Sequence, residues 1–119
     1  MKSLIIIAHG SRREASNDEV RGLATAVAAR MDGRYDRVAC AFLELATPDI
    51  PTAIEREVTV GAREIVCFPY FLSAGRHVVE DVPGFVEAAR ERFPEVRISL
   101  ERYLGAQPAM AELICEAVP

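Results

Sequence analysis

The sequence predicts an α/β fold, a three-layer α/β/α arrangement around a four-stranded, mostly parallel sheet. Three observations carry this. Short apolar runs alternate with amphipathic helical stretches four times along the chain. The first run, Leu4 to Ala8, is continuous rather than alternating, as in a parallel strand covered on both faces. Four βα units in series then imply right-handed crossovers and helices on both sides of one sheet.

After the first strand, Ser16 followed by Glu19 reads as a capping box that opens a helix. Val20, Leu23, Ala24, Val27, Ala28 and Met31 form its apolar stripe, and Gly33 closes it. A second strand is expected over Val38 to Leu43. Thr47-Pro48 then reads as cap and first helical position of a second helix burying Ile50, Ala53, Ile54 and Val58, with Gly61 past its end. Ile65 to Tyr70 is the third strand, and a Phe71–Gly75 loop leads into a helical stretch that Pro83 should interrupt. Val86, Ala89 and Phe93 continue on one face until Pro94. Val96 to Leu100 alternates with charges, as an edge strand does, and Pro108 begins a last helix expected to bury Met110, Leu113, Ile114 and Val118.

At 119 residues, half of them hydrophobic, the chain reads as one domain, 1–119, with a real core and no linker or low-complexity segment. A net charge of -4 argues against a nucleic-acid partner. No run approaches the roughly 18 apolar residues that span a bilayer, so no membrane role is expected. The N-terminal apolar run of about five residues is shorter than a signal-peptide core and suits a buried strand. Cys40, Cys67 and Cys115 are too few and too scattered for a disulfide framework or a zinc site. A reducing cytoplasm is the expected location.

In open parallel sheets, ligands bind outside the carboxyl ends of the strands. Both histidines of the chain lie just past strand ends, His9 directly after the first and His77 after the third, while Glu44 follows the second. If these strands are neighbours, the three side chains converge. Imidazole plus carboxylate suits divalent Co, Ni or Fe, and both groups serve as bases near neutral pH. Taken singly, each histidine also reads as a turn residue bonded to backbone, and Glu44 as a solvated loop charge. Gly10 allows close backbone approach and Ser11 offers a donor, or they are simply a turn glycine and an exposed serine. Arg12, Arg13 and Arg76 beside the histidines fit a polyanionic ligand, although surface arginines are common. Phe68, Tyr70 and Phe71 either line a flat pocket or pack in the core. No GxGxxG or Walker A motif supports a nucleotide cofactor.

Leu4 through Arg12, Phe42-Leu43-Glu44 with Pro48 and Ile50, and Pro69 through Leu72 with Gly75, His77, Asp81 and Pro83 together resemble the three signature segments of the CbiX/SirB family. These are class II chelatases of the sirohydrochlorin type. The resemblance implies a single chelatase-like domain that inserts a divalent metal, cobalt first and nickel or iron next, into sirohydrochlorin. It implies that His9 and His77 hold the metal and take pyrrole protons with help from Glu44. Gly10, Ser11, Arg12, Ser73, Gly75 and Arg76 would face the tetrapyrrole. It implies no permanent cofactor, the metal being a substrate. Many relatives hold two copies of this unit, whereas this chain holds one, so it resembles the short form that works as a homodimer. The competing readings are a metal or tetrapyrrole carrier without turnover, and a half-subunit needing another chain.

Overall fold

The structure is a computed structural model that describes residues 1–76 and 80–119. Strands β1 (Lys2–Ala8), β2 (Arg37–Phe42), β3 (Glu64–Pro69) and β4 (Arg97–Leu100) alternate with helices α1 (Glu14–Ala29), α2 (Ile50–Thr59) and α3 (Val82–Arg92). A 3-10 turn, Leu104–Ala106, then precedes helix α4 (Ala109–Ala117). The sheet runs β2-β1-β3-β4, and all three pairings are parallel. β1 therefore sits centrally, in register with β2 from Ser3↔Arg37 to Ala8↔Phe42 and with β3 from Lys2↔Glu64 to Ile7↔Pro69.

The continuous apolar run of β1 is explained by burial on both faces. Ile5 and Ile7 point to one side, into a core with Ile50 and Ile54 of α2 and Val82 and Val86 of α3. Leu4 and Ile6 point to the other, against Ala24 and Val27 of α1, and Ala8 meets Val20 there. One crossover thus covers one face and two cover the other. The chain turns from one face to the other at β1, which places the switch point of the sheet at the strand carrying His9.

Several boundaries differ from the sequence expectation. α1 starts at Glu14, with Arg13 as its cap, so the Ser16–Glu19 capping box is not used. The entry to the helix is set instead by Ser11, whose Oγ accepts from the Arg13 backbone N–H at 3.0 Å. α2 starts at Ile50 rather than Pro48: the Asp49 side chain caps it by accepting from the Thr52 N–H at 2.9 Å, and Pro51 occupies the first turn. Pro48 is drawn toward the sheet, its carbonyl accepting from the Phe42 N–H at 2.9 Å. Pro83 lies in the first turn of α3, which directly follows Glu80 and Asp81, both in π-helical conformation, so the regular α-helix begins only at Val82. The helical stretch expected ahead of it overlaps residues 77–79, outside the described residues.

The largest difference is α4, which buries none of its residues. Leu113 and Ile114 are each 58% exposed and Val118 57%. The reason is the anchoring of the preceding turn. The Gly105 N–H donates to the Phe71 carbonyl at 2.9 Å, and a Cβ on Gly105 would lie 1.8 Å from the Leu72 carbonyl oxygen. This lock holds the start of α4 at the top of the sheet. Among the described residues no helix is long and apolar enough to cross a membrane.

Candidate functional site

The backbone pairing of β1 continues past its end and brings two of the three predicted residues, His9 and Glu44, together. The Leu43 N–H donates to the Ala8 carbonyl at 2.9 Å, and the Glu44 N–H to the His9 carbonyl at 3.0 Å. On the other side, the Tyr70 N–H donates to the Ile7 carbonyl at 2.7 Å. His9 and Glu44 thus leave adjacent strands at the same level, with His9 Nε2 3.3 Å from Glu44 Oε1. Both side chains are about half exposed.

Gly10 makes this approach possible. Its φ is +94°, and a Cβ there would stand 1.7 Å from the Glu44 carbonyl oxygen. Only a residue without a side chain fits. Leu45, directly after Glu44, takes φ +65°, which costs a non-glycine residue on the order of 1 kcal/mol. The turn that presents Glu44 is therefore strained, as segments at functional sites often are.

His9 Nδ1 lies 3.0 Å from the Gly10 carbonyl oxygen. In the tautomer whose Nδ1–H donates to that carbonyl, Nε2 carries its lone pair toward Glu44. A lone pair and a carboxylate facing each other are two acceptors, and the arrangement is satisfied by a proton or a cation. Chemically the pair can receive a proton, bind a metal, or pass one to the other.

Beside Glu44 is an open concavity of about 610 Å³, lined by Leu43, Glu80, Asp81, Gly84, Phe85 and Ala88 as well. Its far wall is the start of α3, the element next to the predicted third ligand. His77 itself lies outside the described residues. Among the described residues, no three His, Cys, Asp or Glu side chains gather closely enough to hold a metal ion. Of the remaining predicted residues, Gly10 and Ser11 form the turn under His9, while Arg12, Ser73, Gly75 and Arg76 are exposed. Phe68 packs partly in the α1-side core, and Tyr70 is 39% exposed, so the two aromatics divide between packing and surface.

Sequence reasoning missed Asn17. This side chain is 1% exposed and grips the turn from both directions. Its Oδ1 accepts from the Ser11 N–H at 2.9 Å, and its Nδ2 donates to the Ser11 carbonyl at 2.8 Å. The signal was available: Asn17 sits on the buried stripe of α1, three residues before Val20 and seven before Ala24, where a polar residue is out of place unless it is bonded.

A parallel 2-1-3-4 sheet with helices on both faces places the chain in the class of open, doubly wound α/β proteins. The putative cobalamin biosynthesis CbiX protein from Marinobacter aquaeolei superposes with a TM-score of 0.83 at 28% identity, over 98% of this chain and 93% of that one. The sirohydrochlorin chelatase SirB from Bacillus subtilis subspecies spizizenii, solved in complex with cobalt, gives 0.84 at 26% identity, over 97% of this chain and 48% of that one. Residues 3–119 match the CbiX family, and the chain belongs to it. A sirohydrochlorin cobaltochelatase from Methanococcus maripaludis is 34% identical over 83 residues, 70% of this chain and 56% of that protein. The chain spans about half the length of several curated relatives it matches.

Proposed function

We propose that this chain is a metal chelatase that inserts a divalent ion into sirohydrochlorin, with cobalt as the first candidate metal and nickel or iron as alternatives. The observation that carries the reading is the His9–Glu44 pair, 3.3 Å apart at the carboxyl edge of the central strand. Relatives named as sirohydrochlorin cobaltochelatases and ferrochelatases support the substrate and leave the metal open. Residues 1–119 act in this reading as one chelatase-like domain of a cytoplasmic protein in tetrapyrrole biosynthesis.

Metal insertion has three requirements: water must leave the ion, two pyrrole N–H protons must be removed, and the macrocycle must be held over the metal. His9 and His77 supply neutral nitrogens to the incoming ion; as the ion passes to the macrocycle each freed imidazole accepts one of the two pyrrole protons, and the Glu44 carboxylate stabilises the one on His9. Gly10 and Ser11 let the ring approach the backbone. Arg12 and Arg76, with Ser73 and Gly75 on the facing loop, meet its carboxylates. No permanent cofactor is needed, because the metal is consumed as substrate. The half-open concavity beside Glu44 encloses a macrocycle only when a second surface closes over it, which supports a homodimer with two copies forming the cleft.

The test is anaerobic incubation with sirohydrochlorin and Co²⁺, Ni²⁺ or Fe²⁺, followed in the visible spectrum. Multiple turnovers above the spontaneous rate are expected, reduced at least 100-fold in His9→Ala and His77→Ala, the range that positioned acid–base groups contribute. A stoichiometric spectral change that then stops would mean a carrier, and no response to any of the three metals would overturn the proposal.

A further inference from the structure

The sheet has one face left partly uncovered. α2 and α3 close one side, but α1 alone closes the other, over β2 and β1. Next to α1 a groove of about 750 Å³ remains, floored by Leu4, Ile6, Val66 and Phe68 and walled by Val27 and Met31. Its floor is the same β1–β3 pairing, Leu4↔Val66 and Ile6↔Phe68, that fills the core elsewhere. A parallel sheet normally carries a helix there.

The chain also carries a helix, α4, none of whose residues is buried. Met110, Leu113 and Ile114 recur at i, i+3 and i+4 along α4, yet only Leu113 reaches the groove, at its rim. A nine-residue helix is too short to persist in water without packing. The Gly105 N–H bond to the Phe71 carbonyl and the close approach of Gly105 to Leu72 fix the turn from which α4 departs.

We propose that α4 of each copy lies in this groove of a second copy, a reciprocal exchange about a two-fold axis. The proposal deepens the homodimer part of the reading above and rests on it. One operation satisfies both features, since each copy brings an unfilled groove and an unpartnered helix. The helix is short enough to fit: nine helical residues span about 13.5 Å, within the roughly 20 Å of the six residues of β3. One charge pair is complementary, although Glu101 also lines the groove and α4 carries Glu112 as well. Running back along the sheet as βα helices do, α4 would bring Glu116 toward Arg34, at the groove's lower end beside Tyr35. The upper end reaches Tyr70, which directly precedes the Phe71–Ser73 loop, so the exchange ties dimer formation to the strand ends that carry the site.

The experiment uses the natural Cys115, exposed on α4, as the attachment point for a benzophenone maleimide. Equal amounts of ¹⁴N and ¹⁵N full-length chain are mixed, photolysed and mapped by mass spectrometry, with sedimentation equilibrium run alongside on the unlabelled chain and on Leu113→Glu. The expected result is a dimer whose crosslinks join Cys115 of one isotope to residues 23–35 or 66–70 of the other. Leu113→Glu should keep the far-UV circular dichroism of the sheet and of α1–α3, lose at most the share of the nine residues of α4, and raise the dimer Kd about thirty-fold or more, as loss of an anchoring side chain does. A dimer crosslinked from α4 to α4, or at any other surface, would overturn the exchange and leave the homodimer standing. Crosslinks confined to one chain would overturn the exchange alone, and a monomer at all concentrations would overturn both. The crosslink map decides the question even if Leu113→Glu does not fold.

Discussion

Replacing Gly10 by alanine tests whether the approach of β1 and β2 at their ends builds the site. The new Cβ would start 1.7 Å from the Glu44 carbonyl oxygen, whereas contacts below 3.0 Å are essentially never seen, so that carbonyl must move by about 1.3 Å. Two costs follow. Holding alanine at φ +94° takes on the order of 1–2 kcal/mol. Displacing Glu44 strains or breaks its N–H bond to the His9 carbonyl, worth about 0.5–1.5 kcal/mol. The total of roughly 2–3 kcal/mol should lower the urea midpoint by about 1–2 M at a slope typical of small proteins. Gly22 is the internal control. It lies inside α1, and a Cβ added there would meet nothing within 4 Å, so Gly22→Ala should stabilise by about 0.5–1 kcal/mol. The functional consequence is separable, because a Glu44 displaced from 3.3 Å no longer faces His9 Nε2. Metal insertion in Gly10→Ala should therefore fall at least tenfold at temperatures where the variant remains folded. Equal stability of Gly10→Ala and the parent, within about 0.5 kcal/mol, would refute the reasoning outright.

Asn17→Ala removes both bonds to Ser11 and leaves a buried N–H and C=O to find other partners, which should cost about 2–3 kcal/mol in urea denaturation; Asn17→Asp keeps the acceptor but sets a buried carboxylate oxygen against the Ser11 carbonyl and the Glu14 carboxylate, and should cost at least as much at pH 7. Asp49→Ala removes the α2 cap and should cost about 1 kcal/mol at pH 7. Hydrogen bonds from the side chain and backbone of Thr52 hold the Asp49 carboxyl below its ordinary 3.8, so the cap's contribution is present above that pH and lost as pH falls through the lower folded value; parent and variant stabilities, compared by denaturation at pH 7 and pH 3, should converge toward acid. Burial pushes the Cys67 thiol up to about 12, so in the native protein at pH 8 iodoacetamide should modify Cys115 within minutes and leave Cys67 unmodified, read by intact and peptide mass. Modification of both at similar rates would mean that the β3 core opens readily.

The fold is legible because its signals are local and repeated. Each βα unit carries its own apolar run, its own stripe and its own turn residues, and β1 announces double coverage through an unbroken Leu4–Ala8. The strand-end positions of His9 and Glu44 are legible for the same reason. Helix starts are less so, because capping motifs compete: Ser16–Glu19 and Thr47-Pro48 both match a start pattern, but the local bond from the Arg13 N–H to Ser11 and the bond from the Phe42 N–H to the Pro48 carbonyl select others. The apolar stripe of α4 exists as its periodicity predicts, yet it is not buried within its own chain. Periodicity reports that a face needs cover, not which surface supplies it.

By itself, then, the sequence determined the order of the elements, the parallel sheet, the residues that end up at strand ends, and the resemblance to CbiX/SirB chelatases. Tertiary structure alone decided which groups meet. That Glu44 reaches His9 follows from β2 and β1 being neighbours and from Gly10 yielding space to a carbonyl that is close in register but distant in sequence. The buried stripe of α1 marks Asn17 as needing a partner without naming Ser11, and that Glu57 lies 2% exposed accepting bonds from Ser3 and Arg37 cannot be told from the local pattern, where it reads as a surface residue on a helix. The physical reason is common to all of these. Burial of apolar surface is encoded position by position, whereas a polar contact exists only when two distant segments arrive at hydrogen-bonding distance, and only the packed chain sets that distance.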